Sequence, residues 1–323
     1  MTAWQGTLTA IGGGSGLAVL LRGLKRAVTP ERLRAVVTVT DDGGSSGRLR
    51  REFGVLPPGD IRNCLVALAD DEDLLARLFQ YRFANGEGLS GHSFGNLFLT
   101  ALTGITGDFY QAILTAESIL SVRGKILPAT LTDVRLSARG RSGRVYEGES
   151  AIGRAGEGIA ALELEPRRPP AFPQAVEAVL GADLVVLGPG SLYTSILPNL
   201  LIPAIGRALA TTRARVVLAL NLMTQPGETD GMTGIEHLAA IEDFVGPGVV
   251  DAVLASSSTL PPDRLALYGA TGSEPVAVDR AAFAARGVEL VEANLLADGE
   301  LLRHDPRRLA EAVLSLAGAE VAR

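Results

Sequence analysis

The chain has 323 residues, 47% of them apolar and 20% charged, with a formal net charge of -6 and one cysteine, Cys64. That balance is the one of a folded globular protein and excludes a disordered or fibrous chain. The acidic excess speaks against an electrostatically driven nucleic-acid binder, and a lone cysteine rules out an intramolecular disulfide, so the expected compartment is a reducing cytoplasm.

The beginning of the chain, MTAWQGTLTAIGGGSG, lacks the basic and apolar regions of a secretory signal. The longer apolar stretches, such as those around 184–187 and 197–209, are broken by Pro, Asn, Arg or Gly before the roughly 18 residues of a membrane span, so no transmembrane segment is expected. Thr7 to Ile11 reads as a buried strand, followed by the turn Gly12 to Gly16 and a helix from Leu17 to Ala27 with leucines at 17, 20, 21 and 24. Leu33 to Thr40 is a second strand, ending in the polar glycine-rich turn Asp41 to Gly47. Two successive strand-turn-helix units predict a parallel sheet with helices on its faces.

Helical spacing then runs through Asp60–Ala69, Asp73–Phe83, Ser93–Leu102 and Asp108–Leu120, which predicts a helical lobe over 57–124. Alternation from Ile126 to Pro166, with a turn at Gly140 to Gly143, predicts a β-rich insertion over 125–166 that contains a hairpin. Beyond Arg167 and Arg168 the α/β rhythm resumes over 172–323. It gives a helix at Phe172–Leu180, strands at Leu184–Leu187, Arg215–Leu220, Val249–Leu254 and Val288–Val291, and a last helix at Arg307–Leu316. The whole reads as one α/β domain. Asp70 to Asp73 reads as a solvated acidic junction, and Arg139 to Arg144 as a hairpin tip.

Several turns carry candidate chemistry. Gly12 to Gly16 suits a phosphate, because glycines permit a sharp turn and the helix that follows presents free amides and a positive dipole end. An NAD-dependent oxidoreductase is disfavoured, since the acidic ribose partner about 20 residues on is missing. Asp41 and Asp42 stand at the carboxyl end of the second strand, where they could hold a hydrated Mg2+, meet a ribose or base, or cap the next helix. In Pro57 to Asn63, Asp60 is a plausible N-cap, while Arg62 and Asn63 project from the first helical turn to meet an anion or to pair with nearby aspartates. Cys64 reads as a small core residue.

His92, before Ser93 and Asn96, could donate to a phosphate, act as an acid or base, or serve only as a structural donor. Three histidines and one cysteine do not make an ordinary zinc site. Gly188 to Ser195 follows a buried strand and offers four hydroxyls and free turn amides, a second phosphate candidate. Asn221, Thr224, Gln225, Glu228 and Thr229 gather after the next strand, in a loop that could read a base, a sugar or a partner, or be an ordered surface loop.

Taken in order, GGGSGLAVLLRGLK, TVTDDGGSSGRLR, PPGDIRNCLVAL, GHSFGNLFL, GPGSLYTSILPNLL and NLMTQPGETDGMT resemble the motif set of the CofD/YvcK family. The forms DDGGSSGRLR and GPGSLYTS are closer to the YvcK branch, the gluconeogenesis factors, than to the CofD branch of 2-phospho-L-lactate transferases. The resemblance implies a Rossmann-like core, a cytoplasmic location and binding of UDP-sugars such as UDP-N-acetylglucosamine. It further implies a regulatory role coordinating central carbon metabolism with cell-wall synthesis and cell shape, through protein partners in those processes, and leaves self-association open.

Carried over by motif, Gly13, Gly14 and Ser15 would line the first nucleotide turn, with Asp41 and Asp42 beside it. Gly190, Ser191, Tyr193 and Thr194 would form the diphosphate turn, and Asn199 and Asn221 are further candidates. The departures from the transferase branch leave no catalytic residue assigned. A deazaflavin substrate and a required Mg2+ belong only to the alternative, a transferase of the 2-phospho-L-lactate type; the leading reading requires no cofactor.

Overall fold

A computed structural model of the chain describes residues 4–70 and 73–318, so the acidic junction at 71–72 lies outside the described residues. Ten strands are formed: β1 (Leu8–Gly12), β2 (Leu33–Val37), β3 (Lys125–Pro128), β4 (Arg135–Gly140), β5 (Val145–Glu147), β6 (Ile159–Glu165), β7 (Leu184–Leu187), β8 (Arg215–Ala219), β9 (Ala252–Ser256) and β10 (Glu289–Ala293). Seven of them make one parallel sheet in the order β10-β9-β8-β7-β1-β2-β3. The other three form a small antiparallel sheet, β5-β4-β6.

Strands β1, β7 and β8 are buried at every position because both faces are covered. In β7, Leu184 and Val186 enter one core while Val185 and Leu187 enter the other. The first core is closed by α1 (Gly14–Leu24), α3 (Gly59–Leu68), α4 (Asp73–Gln80), α5 (Phe94–Thr106) and α6 (Phe109–Ile119), with α2 (Gly44–Phe53) leading into them. The last helix of the chain, Pro306–Ser315, joins this layer through Leu309 and Val313. The second core takes the helices Pro173–Leu180, Pro203–Thr211 and Gly234–Val245 together with the inner face of the small sheet.

One contact fixes α1 closely against the last helix. A Cβ placed on Gly23 would lie 1.9 Å from the Pro306 carbonyl oxygen, a backbone atom that cannot swing aside. Gly23→Ala is therefore expected to lower unfolding stability by about 1–3 kcal/mol, read as a lower urea midpoint at an unchanged slope.

The chain leaves β1 for β2 on one side and, after the lobe and the insertion, leaves β7 for β8 on the other. Since β1 and β7 are neighbours, their carboxyl ends form the switch point where open α/β sheets receive ligands.

The parallel sheet with helices on both faces agrees with the sequence reading. Several boundaries do not, and two of them bear on the layers. Strand β2 ends at Val37, with 38–40 extended beyond the ladder. Lys125–Pro128 belongs to the main sheet, paired with β2, so the added β layer starts only after Pro128. Four residues with Ile126 in one core and Leu127 in the other show no alternation that would tell a buried edge strand from a hairpin arm. Among the described residues no single helix is long and apolar enough to cross a membrane.

Candidate functional site

The glycine turns after β1 and β7 meet at the switch point. Gly14 opens α1 at φ 63°, a left-handed geometry that favours glycine, and no side chain of the N-cap Gly13 closes the helix start. A Cβ on Gly16 would lie 2.4 Å from the Pro189 carbonyl oxygen and 2.9 Å from the Gly190 Cα, so the two turns touch backbone to backbone. Asn221, just past β8, clamps the second turn from both sides: the Gly190 amide donates to its Oδ1 (3.0 Å) and its Nδ2 donates to the Gly190 carbonyl (2.9 Å). Gln225 Nε2 donates to Ser191 Oγ (2.7 Å). Two loops and a third strand end are thereby held in one arrangement.

Between these turns opens a cleft of about 390 Å3. Gly13 to Gly16 form one side and Gly190, Ser191 and Ser195 the next, with Asn221 to Pro226 on the floor. The far wall consists of Tyr268, Thr271 and Ser273, with Leu302, Arg303 and His304 beside them. Arg303 is exposed there. His304 is buried, and burial pushes its pKa down to about 4 although a hydrogen bond to the Leu220 backbone opposes the shift. Its ring is neutral at neutral pH, and Nε2 has no partner among the described residues. Free helix amides, hydroxyls and one guanidinium around a cleft of this size suit a phosphate-bearing small molecule.

Behind Gly13 lies a buried acidic cluster. A Cβ on Gly13 would come within 2.4 Å of Asp60 Oδ2 and 2.8 Å of Thr38 Cγ2, which is why the turn runs so close to it. Burial, reinforced by the neighbouring Asp41 charge, pushes the Asp60 carboxyl up from 3.8 to about 7, against a hydrogen bond from the Gly14 amide. Glu149 accepts from Thr40 Oγ1 (2.5 Å), which is paired with Thr38 Oγ1 (2.7 Å); burial first, then Asp60 and Asp41, hold its carboxyl well above the usual range.

The raised Asp60 pKa has a signed consequence. Between the unfolded value of 3.8 and the folded value of about 7 the native state holds a proton that the unfolded chain has released, so this contribution to stability declines as pH rises through that window. Asp60→Asn removes the titration. Its urea stability is expected to fall less than the wild type's between about pH 5 and about pH 8, and an equal fall in both proteins would contradict the assignment.

Of the residues singled out by sequence, Gly13, Gly14, Ser15, Gly190, Ser191, Asn221, Thr224 and Gln225 line the cleft. Asn199 lies beneath it, fully buried, donating to the Ser195 carbonyl (2.8 Å) and the Gly12 carbonyl (3.2 Å), so it supports both turns from below. Tyr193 and Thr194 turn away. Residues Leu192–Ile196 form a π-helical turn in which Thr194 Oγ1 donates to Glu228 (3.1 Å) and the Tyr193 hydroxyl lies against Met232 sulfur. The Tyr193 and Thr194 amides also bond to Glu228, whose pKa burial pushes up to about 6. Of the four hydroxyls expected around this turn, those of Ser191 and Ser195 remain on the cleft side.

The other candidates gather at the starts of α2, α3 and α5, outside the cleft lining. Asp41 Oδ1 accepts from the Gly43 amide (2.8 Å), and Asp42 Oδ1 accepts from the Ser150 amide and hydroxyl (both 2.9 Å). Asp42 thus steadies the short helix Glu149–Ile152 and does not cap α2, whose N-cap is Gly43. Asp60 is not the N-cap of α3 either; Pro58 is, and Asp60 sits in the first turn facing Gly13. Arg62 donates to Ser93 Oγ and Asn63 Oδ1 (both 2.7 Å) in place of the expected carboxylate. His92 Nδ1 pairs with Ser45 Oγ (3.0 Å), and Asn96 Nδ2 donates to Ser46 Oγ (3.3 Å). Cys64 is buried in the core.

Sequence reasoning did not find Tyr268, Thr271, Ser273, Arg303 or His304. They reach the cleft on the helix Pro262–Gly269 and on the chain that pairs His304 with Leu296, neither of which is a glycine turn directly after a strand. The glycines at 269 and 272 around a polar stretch were the available signal.

The family model described as "2-phospho-L-lactate transferase CofD" matches residues 8–296, which include both turns and most of the cleft. The chain belongs to the CofD family. A protein of Nostoc sp. (strain PCC 7120) is 51% identical to this CofD-family chain over 314 residues, covering 96% of it and 68% of the relative. The "Gluconeogenesis factor" of Halalkalibacterium halodurans is 47% identical, and that of Bacillus subtilis 44%, covering 95% and 96% of this chain and 95% and 97% of those proteins. A crystal structure of a Bacillus halodurans protein, 46% identical, superposes with a TM-score of 0.92 over 96% of this chain and all of the other. These likenesses place the CofD-family chain beside the gluconeogenesis factors (YvcK).

Proposed function

We propose that this CofD-family chain binds a nucleotide sugar of the UDP-N-acetylglucosamine kind in the cleft between its two glycine turns. On this reading it acts as a cytoplasmic regulator linking central carbon metabolism to cell-wall synthesis and cell shape. The observation that carries the proposal is the meeting of Gly13–Gly16 with Gly190–Ser191 around one cavity at the switch point. A diphosphate there would face the open amides and positive end of α1 on one side and the Ser191 hydroxyl on the other, with the Arg303 guanidinium supplying charge. The Tyr268 ring offers a flat, partly apolar surface to a base or sugar.

The gluconeogenesis-factor name of the relatives supports the metabolic side of the reading. A ligand of this kind regulates by favouring one conformation of the surface that protein partners recognise.

A metal-dependent transferase of the 2-phospho-L-lactate type is the alternative. Asp41 Oδ1 accepts from the Gly43 amide and Asp42 Oδ1 from Ser150, so one oxygen of each carboxylate already serves the surrounding chain. Among the described residues no group of three or more His, Cys, Asp or Glu is placed to hold a metal ion.

Isothermal titration with UDP-N-acetylglucosamine tests the leading reading. Saturable heat that NADH does not displace is expected; no binding at millimolar ligand would refute it.

A further inference from the structure

A second cleft, of about 520 Å3, opens at the carboxyl ends of β9 and β10, apart from the lining of the first. Its walls carry Ser257, Ser258 and Thr259 from the end of β9, Asn294 from the end of β10, and two arginines, Arg264 and Arg308. Ser258 holds the two strand ends together: its Oγ donates to Asn294 Oδ1 (2.7 Å) and accepts from the Leu295 and Leu296 amides (both 3.1 Å). The hydroxyls of Ser257 and Thr259 have no hydrogen-bond partner among the described residues and lie exposed.

The arginines are the deciding feature. Both are partly buried, and each donates to one backbone carbonyl, Arg264 Nη1 to Ala297 (3.4 Å) and Arg308 Nη1 to Leu296 (2.7 Å). Among the described residues neither pairs with a carboxylate, although the exposed Asp298 also lines the cleft. Both guanidinium groups are partly buried and line one hollow with the free Ser257 and Thr259 hydroxyls, and neither charge is offset there by an ion pair among the described residues. A guanidinium presents several N–H donors in a planar fork, so a single carbonyl bond leaves each with donors to spare.

We propose that this cleft is an anion site for the phosphoryl group of a small phosphate-bearing metabolite, gripped by Arg264 and Arg308 and rimmed by the hydroxyls of Ser257 and Thr259. Phosphate matches the forked donors and the hydroxyls together. The site shares no lining residue with the first cleft and does not rest on the nucleotide-sugar reading; the bridge between Leu296 and His304 links the walls of the two.

Hydrogen exchange of the whole chain, in inorganic phosphate against chloride at equal ionic strength, tests the proposal. Phosphate is expected to slow exchange at 257–264 and 294–298. The double variant Arg264→Gln with Arg308→Gln should bind phosphate there at least about tenfold more weakly per guanidinium and lose that protection, while keeping the wild-type exchange of the central strands. No protection in the wild type, or protection that survives in the double variant, would overturn it. Should the double variant fail to fold, wild-type crystals soaked in selenate decide the matter. An ion between Arg264 and Arg308 supports the site, and none at that position refutes it.

Discussion

A Gly16→Val chain is expected to lose nucleotide-sugar binding by about 100-fold or more and to unfold with about 1–3 kcal/mol less stability. The reason is the backbone contact between the turns. A Cβ at Gly16 would stand 2.4 Å from the Pro189 carbonyl oxygen, 2.8 Å from its carbon and 2.9 Å from Gly190 Cα, none of which can yield by a rotamer change. The turn after β1 must therefore move away from the turn after β7, and the amides and hydroxyls that face the cleft part with it. Titration with UDP-N-acetylglucosamine and urea unfolding on the same sample read both losses. Gly104→Ala is the control, because a Cβ there meets nothing within 4 Å on a helix, and it is expected to bind normally and to be at least as stable as the wild type.

The second large effect is expected from Arg303→Gln, which should weaken nucleotide-sugar binding by about 10- to 100-fold while leaving urea stability nearly unchanged. Arg303 is the arginine in the cleft lining and is exposed, so its removal leaves no buried charge behind. A charge-assisted bond to a phosphate weakens with salt, and the affinity of the variant should accordingly depend less on ionic strength than that of the wild type. Arg303→Lys should restore part of the salt dependence and less of the affinity, because a lysine supplies the charge without the planar fork. Equal affinities for wild type and Arg303→Gln would remove Arg303 from the site.

How much of this was legible beforehand follows from where each residue gets its position. The turns after β1 and β7 were readable because each places glycines directly after an apolar strand, and the strand end itself fixes where the turn points. Asn221 was readable for the same reason, as the residue just past β8. Thr194 was not, because a π-helical turn changes the register of successive side chains: Ser195 comes to the cleft while Thr194 is carried back to Glu228. Asp60 shows a related limit. Its sequence position suits a helix cap, but the closeness of Gly13 gives it a different partner, and that contact spans 47 positions of chain. Tyr268 and Arg303 depend on the packing of a surface helix and a strand-paired loop, and no local pattern announces where such elements come to rest.

The central claim is that both glycine turns hold one ligand. A crystal structure of the protein with UDP-N-acetylglucosamine tests it most directly. The diphosphate is expected between the Ser15 and Gly16 amides and Ser191, with Arg303 against it. A ligand seated at any other surface, or touching one turn and leaving the other open to solvent, would contradict it.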